Sequence, residues 1–319
     1  MKLHTNKQEF NELIQLTATH FKILPEFIEK DYWITLILNN LSQSEHKNSV
    51  VFKGGTSLTK GYRLINRFSE DIDIALLDEK LTGNALKTKI RKIEKAITAD
   101  LTEIEEAGVT RKGSVYRKSL FQYPSDVNTH FVTNIKKRII VEINSFANPY
   151  PFVKQEIISF ITEFLTATNQ TEAIQEYGLQ QFELNILDKR RTMLEKLVSL
   201  IRFSFSENPT KELAKKIRHF YDLYYLTRDE ECTEYLQSSD FQNDLSELLI
   251  HDQQEFEEPQ GWQTKTAIES PLLSDFSNLW TNLRSTYQNE LTPLAFSEIP
   301  NERLIEKSFM ETIKMTVKY

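Results

Sequence analysis

Asp71 and Asp73 lie two residues apart in DIDIAL, where Ile72, Ile74 and Leu76 alternate with Asp71, Asp73 and Ala75. This is the period of a half-buried strand, so both carboxylates leave the same face. Paired in this way they can hold one divalent cation or share two, as phosphoryl transfer requires. Upstream, KGGTSLTK (residues 53–60) puts two glycines and two hydroxyl residues at the start of a helix. Backbone N–H groups and the helix dipole favour phosphate there. Gly54, Gly55, Thr56 and Ser57 are therefore candidate contacts for a triphosphate lying close to the metal.

Neither feature is specific alone, because an isolated DxD is commonly a pair of exposed strand residues and Gly-Gly is commonly a tight turn. A glycine pair followed about fifteen residues later by DxD describes a polymerase-β-like nucleotidyltransferase. No GxxxxGK[ST] and no GxGxxG is present, which removes P-loop and dinucleotide-binding readings.

The elements that must position these groups follow from periodicity. Residues 26–41 read as a helix with Pro25 near its first turn, and residues 50–53 as a short strand stopped by Gly54-Gly55. Residues 57–65 read as a helix despite Gly61, and residues 85–106 as a charged amphipathic helix before a loop with Gly108 and Gly113. In residues 135–145, Arg138, Ile140, Glu142 and Asn144 alternate with Ile139, Val141 and Ile143, a strand whose polar face can meet Asp71 and Asp73. Near Ala147 the texture changes, Pro149 and Pro151 interrupt the chain, and strand-like stretches become scarce. Helical periodicity then dominates, at 192–203, 211–227, 235–250 and 272–287. The expectation is an α+β protein with a catalytic lobe at 1–148 and a mainly helical lobe at 149–319.

Composition sets the surroundings. A chain of 319 residues can bury a substantial core, and no run of 18 apolar residues or signal-like amino terminus is present. The single cysteine, Cys232, leaves no internal disulfide, which fits a reducing cytoplasm. The net charge of −7 is uneven. Basic residues cluster at Arg111, Lys112, Arg117 and Lys118, at Lys136, Lys137 and Arg138, and at Lys189, Arg190 and Arg191, whereas 229–258 contains no Lys or Arg. Either the basic side meets a phosphate-rich ligand or these are solvated faces.

The string KGGTSLTKGYRLINRFSEDIDIAL, residues 53–76, resembles the first motif of the AbiEii-type (DUF1814-like) nucleotidyltransferase toxins of bacterial type IV toxin–antitoxin and phage-defence systems. EKDYW at 29–33, a strand carrying Glu142, TMLEKLVSL at 192–200 and RHFYDLYYL at 218–226 are similar to successive landmarks, so the resemblance spans about residues 25–230. It implies a polymerase-β-like minimal nucleotidyltransferase core, a mixed sheet with flanking helices, followed by a helical lobe contributing Lys196 and Asp222 to the cleft. A nucleoside triphosphate and Mg2+ or Mn2+ would bind there. Asp71, Asp73 and Glu142 would be the metal carboxylates, although the family often has Asp where Glu142 stands. Lys196 would contact phosphate, and Asp222 corresponds to the fourth motif's aspartate.

Several roles stay open in the sequence. Asp222 fits catalytic positioning or a local pair with Arg218, and Arg67 fits phosphate neutralisation or a pair with Glu70. Phe220, Tyr221, Tyr224 and Tyr225 fit helix packing better than base stacking, and His219 shows no partner. The implied partners are an RNA acceptor such as a tRNA 3′ end and an antitoxin encoded nearby, with no membrane. A protein acceptor, or a nucleotide-binding regulatory protein without catalysis, would use the same cleft, and a nuclease is a third reading.

Overall fold

The computed structural model describes residues 1–69, 71–77, 81–125 and 136–317. The chain divides into two units, Met1–Arg63 with Phe68–Leu187, and Leu64–Arg67 with Asp188–Tyr319. The first unit is built on a mixed sheet, eight-stranded among the described residues. Its strands are β1 (Val50–Lys53), β2 (Asp71–Leu76), β3 (Thr102–Ile104), β4 (Arg111–Lys112), β5 (Tyr116–Gln122), β6 (Arg138–Asn144), β7 (Phe152–Ile157) and β8 (Phe182–Leu187). They run in the order β3-β5-β6-β2-β1-β8-β7, with β4 beside β5. At the centre, β2 pairs antiparallel with β1 and parallel with β6. Ile72, Ile74, Ile139, Val141 and Ile143 are fully buried there, the apolar half of the alternation seen in the sequence.

Six helices of this unit are α1 (Lys7–Phe21), α2 (Pro25–Gln43), α3 (Gly54–Lys60), α4 (Gly83–Ile97), α5 (Phe160–Ala167) and α6 (Thr171–Tyr177). Pro25 sits in the first turn of α2, where its missing N–H costs nothing. This helix packs on α1, α4, α5 and β8 and is buried without interruption from residue 26 to 38. Such burial takes in charged residues of EKDYW, and a buried charge requires a partner. Asp31 accepts hydrogen bonds from Lys60 Nζ at 2.6 Å and from the Phe160 N–H at 2.9 Å. Lys60 Nζ donates in addition to the Ile158 carbonyl at 2.6 Å, and Lys30 Nζ donates to the Lys136 carbonyl. Since Lys60 ends α3, this buried pair pins the helix that follows the glycine turn.

Several elements differ from the sequence reading. The helix expected at 57–65 opens on Gly54 and stops at Lys60. A Cβ at Gly61 would stand 2.4 Å from Ile186 Cδ1, the tip of a β8 side chain, and 3.1 Å from the Ser57 carbonyl oxygen. The helix expected to reach residue 106 ends at Ile97, and β3, β4 and β5 occupy stretches read as its last turns and a loop. In the strand expected at 135–145, Ile135 lies outside the described residues, and the strand itself is Arg138–Asn144. Strands also continue past residue 147. In β8, buried Phe182, Leu184 and Ile186 alternate with Glu183 and Asn185, a period-two signal in a short segment beside helices.

The second unit contains α7 (Lys189–Ser204), α8 (Pro209–Ala214), α9 (Ile217–Leu226), α10 (Glu230–Leu236), α11 (Ser239–Glu255), α12 (Pro271–Ser274), α13 (Phe276–Leu291) and α14 (Glu302–Met315). Three expected helices are broken in two, at 215–216, at 237–238 and at Asp275, with Ser238 capping α11 through the Phe241 N–H. α9 packs on α7, α13 and α14, and Phe220 lies against Phe276, Trp280 and Phe309. The aromatic residue at 220 is thus core packing.

Removing one partner from a buried ion pair strands the other charge. Asp31→Ala is expected to lower stability by about 3–5 kcal/mol, read as a lower urea midpoint by circular dichroism.

Candidate active site

Strand register places charged residues side by side across five strands. Lys53 opposes Asp73, Asp73 neighbours Glu142, Glu142 opposes Lys118, and Lys118 opposes Arg111. Directly paired residues share a face, so the row reads cation, anion, anion, cation, cation from β1 to β4. Asp71 and Tyr116, each two residues from a member of the row, lie on the same face. The other face carries Ile72, Ile74, Val141 and Ile143, together with Arg117, which pairs with Glu94 of α4.

Gly54 turns the chain from β1 into α3 at φ +81°, a conformation that L side chains rarely adopt. A Cβ at this position would lie 2.0 Å from Asp73 Oδ2, so the carboxylate is seated against the bare Cα. Only glycine satisfies both requirements. Thr56 and Ser57, expected as phosphate contacts, are buried and spend their hydroxyls on the turn. Thr56 Oγ1 donates to the Asp71 carbonyl, and Ser57 Oγ donates to the Gly54 carbonyl at 2.8 Å. They hold the two motifs together, leaving backbone N–H groups of the first helical turn as the groups able to meet an anion.

Both oxygens of Glu142 are engaged from β5. Lys118 Nζ donates to Oε1 at 2.6 Å and Tyr116 Oη donates to Oε2 at 2.7 Å. Burial pulls the Lys118 ammonium down, but the bond to Glu142, with the charges of Glu142, Asp71 and Asp73, holds it above its ordinary value. Burial, then the Glu142 hydrogen bond, pushes the Tyr116 phenol up. Neither residue was singled out in the sequence for this role. The available signal was the alternation of Tyr116, Lys118 and Leu120 with Arg117, Ser119 and Phe121.

A metal ion would find Asp71 and Asp73 half-buried on one face, with the second seated beside the glycine turn. This donor pair suits a hard divalent cation whose remaining ligands come from phosphate and water. Among the described residues no group of three or more His, Cys, Asp or Glu is gathered to hold a metal by itself.

The second unit brings together three other expected residues. Arg67 Nε and Nη2 donate to the two oxygens of Asp222, each at 2.7 Å, and Lys196 Nζ lies 2.7 Å from Oδ2. All three side chains are buried. Arg218 instead approaches Glu290 at 4.0 Å, so the local pair with Asp222 does not form, and Glu70, the alternative partner for Arg67, lies outside the described residues. Burial pushes the Asp222 carboxyl up, but Arg67 and Lys196 outweigh it and hold it well below the carboxylate range. Burial, reinforced by Lys196 and Lys216, keeps His219 neutral.

The basic segments prominent in the sequence are largely neutralised nearby. Lys112 pairs with Glu103 and Glu105, Arg138 with Glu106, Lys189 with Asp229 and Glu231, and Arg190 with Asp188. The exposed Arg111, at the end of the row, has no ion-pair partner among the described residues.

This sheet and its helices form a fold shared with a nucleotidyltransferase toxin. The structure of MenT4, a nucleotidyltransferase toxin from Mycobacterium tuberculosis H37Rv, is similar with a TM-score of 0.56 and 16% sequence identity, over 96% of this chain and 90% of that one. The family model of the AbiEii nucleotidyl transferase toxins of type IV toxin–antitoxin systems matches residues 36–304, and the chain belongs to that family. It is a nucleotidyltransferase toxin of a type IV toxin–antitoxin system. The match extends well past residue 230, where the resemblance in the sequence ended. No curated protein matches. Among the described residues no helix is long and apolar enough to cross a membrane.

Asp222 is depressed in the folded chain, so its contribution to stability is complete above the unfolded value of about 3.9 and is lost as pH falls toward the lower folded value. Asp222→Asn is expected to cost about 3 kcal/mol at neutral pH. In urea titrations across pH, the gap between parent and variant should be constant above about pH 4 and narrow below it.

Proposed function

We propose that the toxin transfers a nucleoside monophosphate from a nucleoside triphosphate to an acceptor hydroxyl, at Asp71, Asp73 and the glycine turn. The observation that carries this is the seating of Asp73 against Gly54, which brings the carboxylate pair against the start of α3. Asp71 and Asp73 would hold Mg2+ or Mn2+, and the ion, when bound, neutralises triphosphate charge and favours departure of pyrophosphate. Backbone N–H groups at Gly54 and Gly55 serve the phosphates, while Thr56 and Ser57 keep that turn closed on β2. The acceptor oxygen forms its bond to the α-phosphorus as the bond to the β-phosphate oxygen breaks, and the hydroxyl proton passes to solvent.

Within the second unit, Lys196 carries the phosphate-directed role that the family resemblance implies. Asp222 and Arg67 fix its ammonium. Two cations on one carboxylate leave a local excess of positive charge, which suits an anion.

An RNA hydroxyl, such as that of a tRNA 3′ end, is the acceptor we favour, and the family implies an antitoxin partner. Support for RNA comes from Arg111, an exposed guanidinium on the same sheet face as the carboxylates. The other basic segments give less support because carboxylates already engage most of them.

The direct test incubates the protein with Mg2+, total bacterial RNA and each α-32P-labelled nucleoside triphosphate. Label should pass to RNA with the parent protein, fall at least a hundredfold with Gly54→Ala, and vanish with Asp71→Ala/Asp73→Ala. Labelling that survives the double substitution would sink the assignment. Arg111→Ala should leave nucleotide binding unchanged and reduce the slope of log affinity for RNA against log salt by about 1. An unchanged slope would remove Arg111 from the acceptor surface.

A further inference from the structure

Two ions shared by Asp71 and Asp73 would draw on any third carboxylate beside them, and register supplies Glu142 next to Asp73. Its side chain is otherwise committed. One oxygen accepts from Lys118 at 2.6 Å and the other from Tyr116 at 2.7 Å. A dication drawn to Glu142 would have to settle against an ammonium, and like charges in a half-buried site repel strongly. Compared with Asp, the extra methylene of Glu142 allows the carboxylate to lean toward β5, where its two donors stand. Lys118 is fixed in the charged row between Glu142 and Arg111, with the aspartates among the charges acting on it.

Resting on the nucleotidyltransferase reading above, we propose that this active centre holds one divalent ion, on Asp71 and Asp73. The Lys118 ammonium, held by Glu142, supplies the positive charge that a second metal would otherwise bring. Glu142 is then a positioning residue for Lys118 rather than a metal ligand. Tyr116 closes the remaining carboxylate oxygen, and the sheet holds all three in register. This fixed charge needs no loading from solution.

The test counts ions rather than turnover. Full-length protein with a non-hydrolysable α,β-methylene nucleoside triphosphate is titrated with Mn2+, and free Mn2+ is followed by electron paramagnetic resonance. One tight ion per chain is expected for the parent and for Glu142→Gln, with affinities within about threefold of each other. Asp73→Asn should weaken binding at least tenfold, and Lys118→Met, which releases Glu142, should admit a second ion. Circular dichroism checks that each variant is folded. Two tight ions on the parent, a tenfold loss in Glu142→Gln, or a single ion in Lys118→Met would each overturn the proposal and leave the transferase reading standing. If the parent binds no Mn2+ with the analogue, both fall.

Discussion

The contact between Asp73 and Gly54 is the constraint around which the centre of the first unit is arranged. A carboxylate resting against a bare Cα demands a glycine at positive φ, a strand that ends there and a helix that starts there. Thr56 and Ser57 reinforce the junction with their hydroxyls, and Lys60, at the other end of the short helix, is clamped by Asp31. A helix of two turns has little stability of its own, so its direction has to come from such tethers. The burial of α2, charges included, is what makes the tether rigid.

The same economy governs charge. Carboxylates two apart on a strand repel each other, and the register answers with cations on neighbouring strands, Lys53 on one side and Lys118 beyond Glu142 on the other. In the second unit, a single buried aspartate holds an arginine and a lysine. Both clusters use opposite charge to fix long side chains that would otherwise sample many rotamers. Surface ion pairs such as Lys112 with Glu105 follow the same geometry with far less energetic weight.

Membership of the AbiEii family gives this geometry its chemical meaning, and the geometry makes the family's pattern specific to this chain. Glycine and aspartate motifs point to nucleotide transfer. Glu142, with lysine and tyrosine on its two oxygens, is a local solution to the charge balance around the aspartates.

The sequence by itself determined the DIDIAL strand and the shared face of its aspartates, the glycine turn, the strand around Glu142 and the helical character of the second half. These follow from periods of two and 3.6 and from the conformational freedom of glycine, all set within a few residues. Only the tertiary structure decided which groups meet. Asp222 is as close in sequence to Arg218 as one helical turn, yet it bonds Arg67 and Lys196, because a bidentate, fully buried guanidinium is a stronger partner than a half-buried neighbour. Arg117 and Lys118 look alike in a basic run, but successive strand residues face opposite sides, sending one to Glu94 and the other to Glu142. The strands β3, β7 and β8 were hard to read for a related reason: which segments pair, and in what register, is a property of the folded sheet.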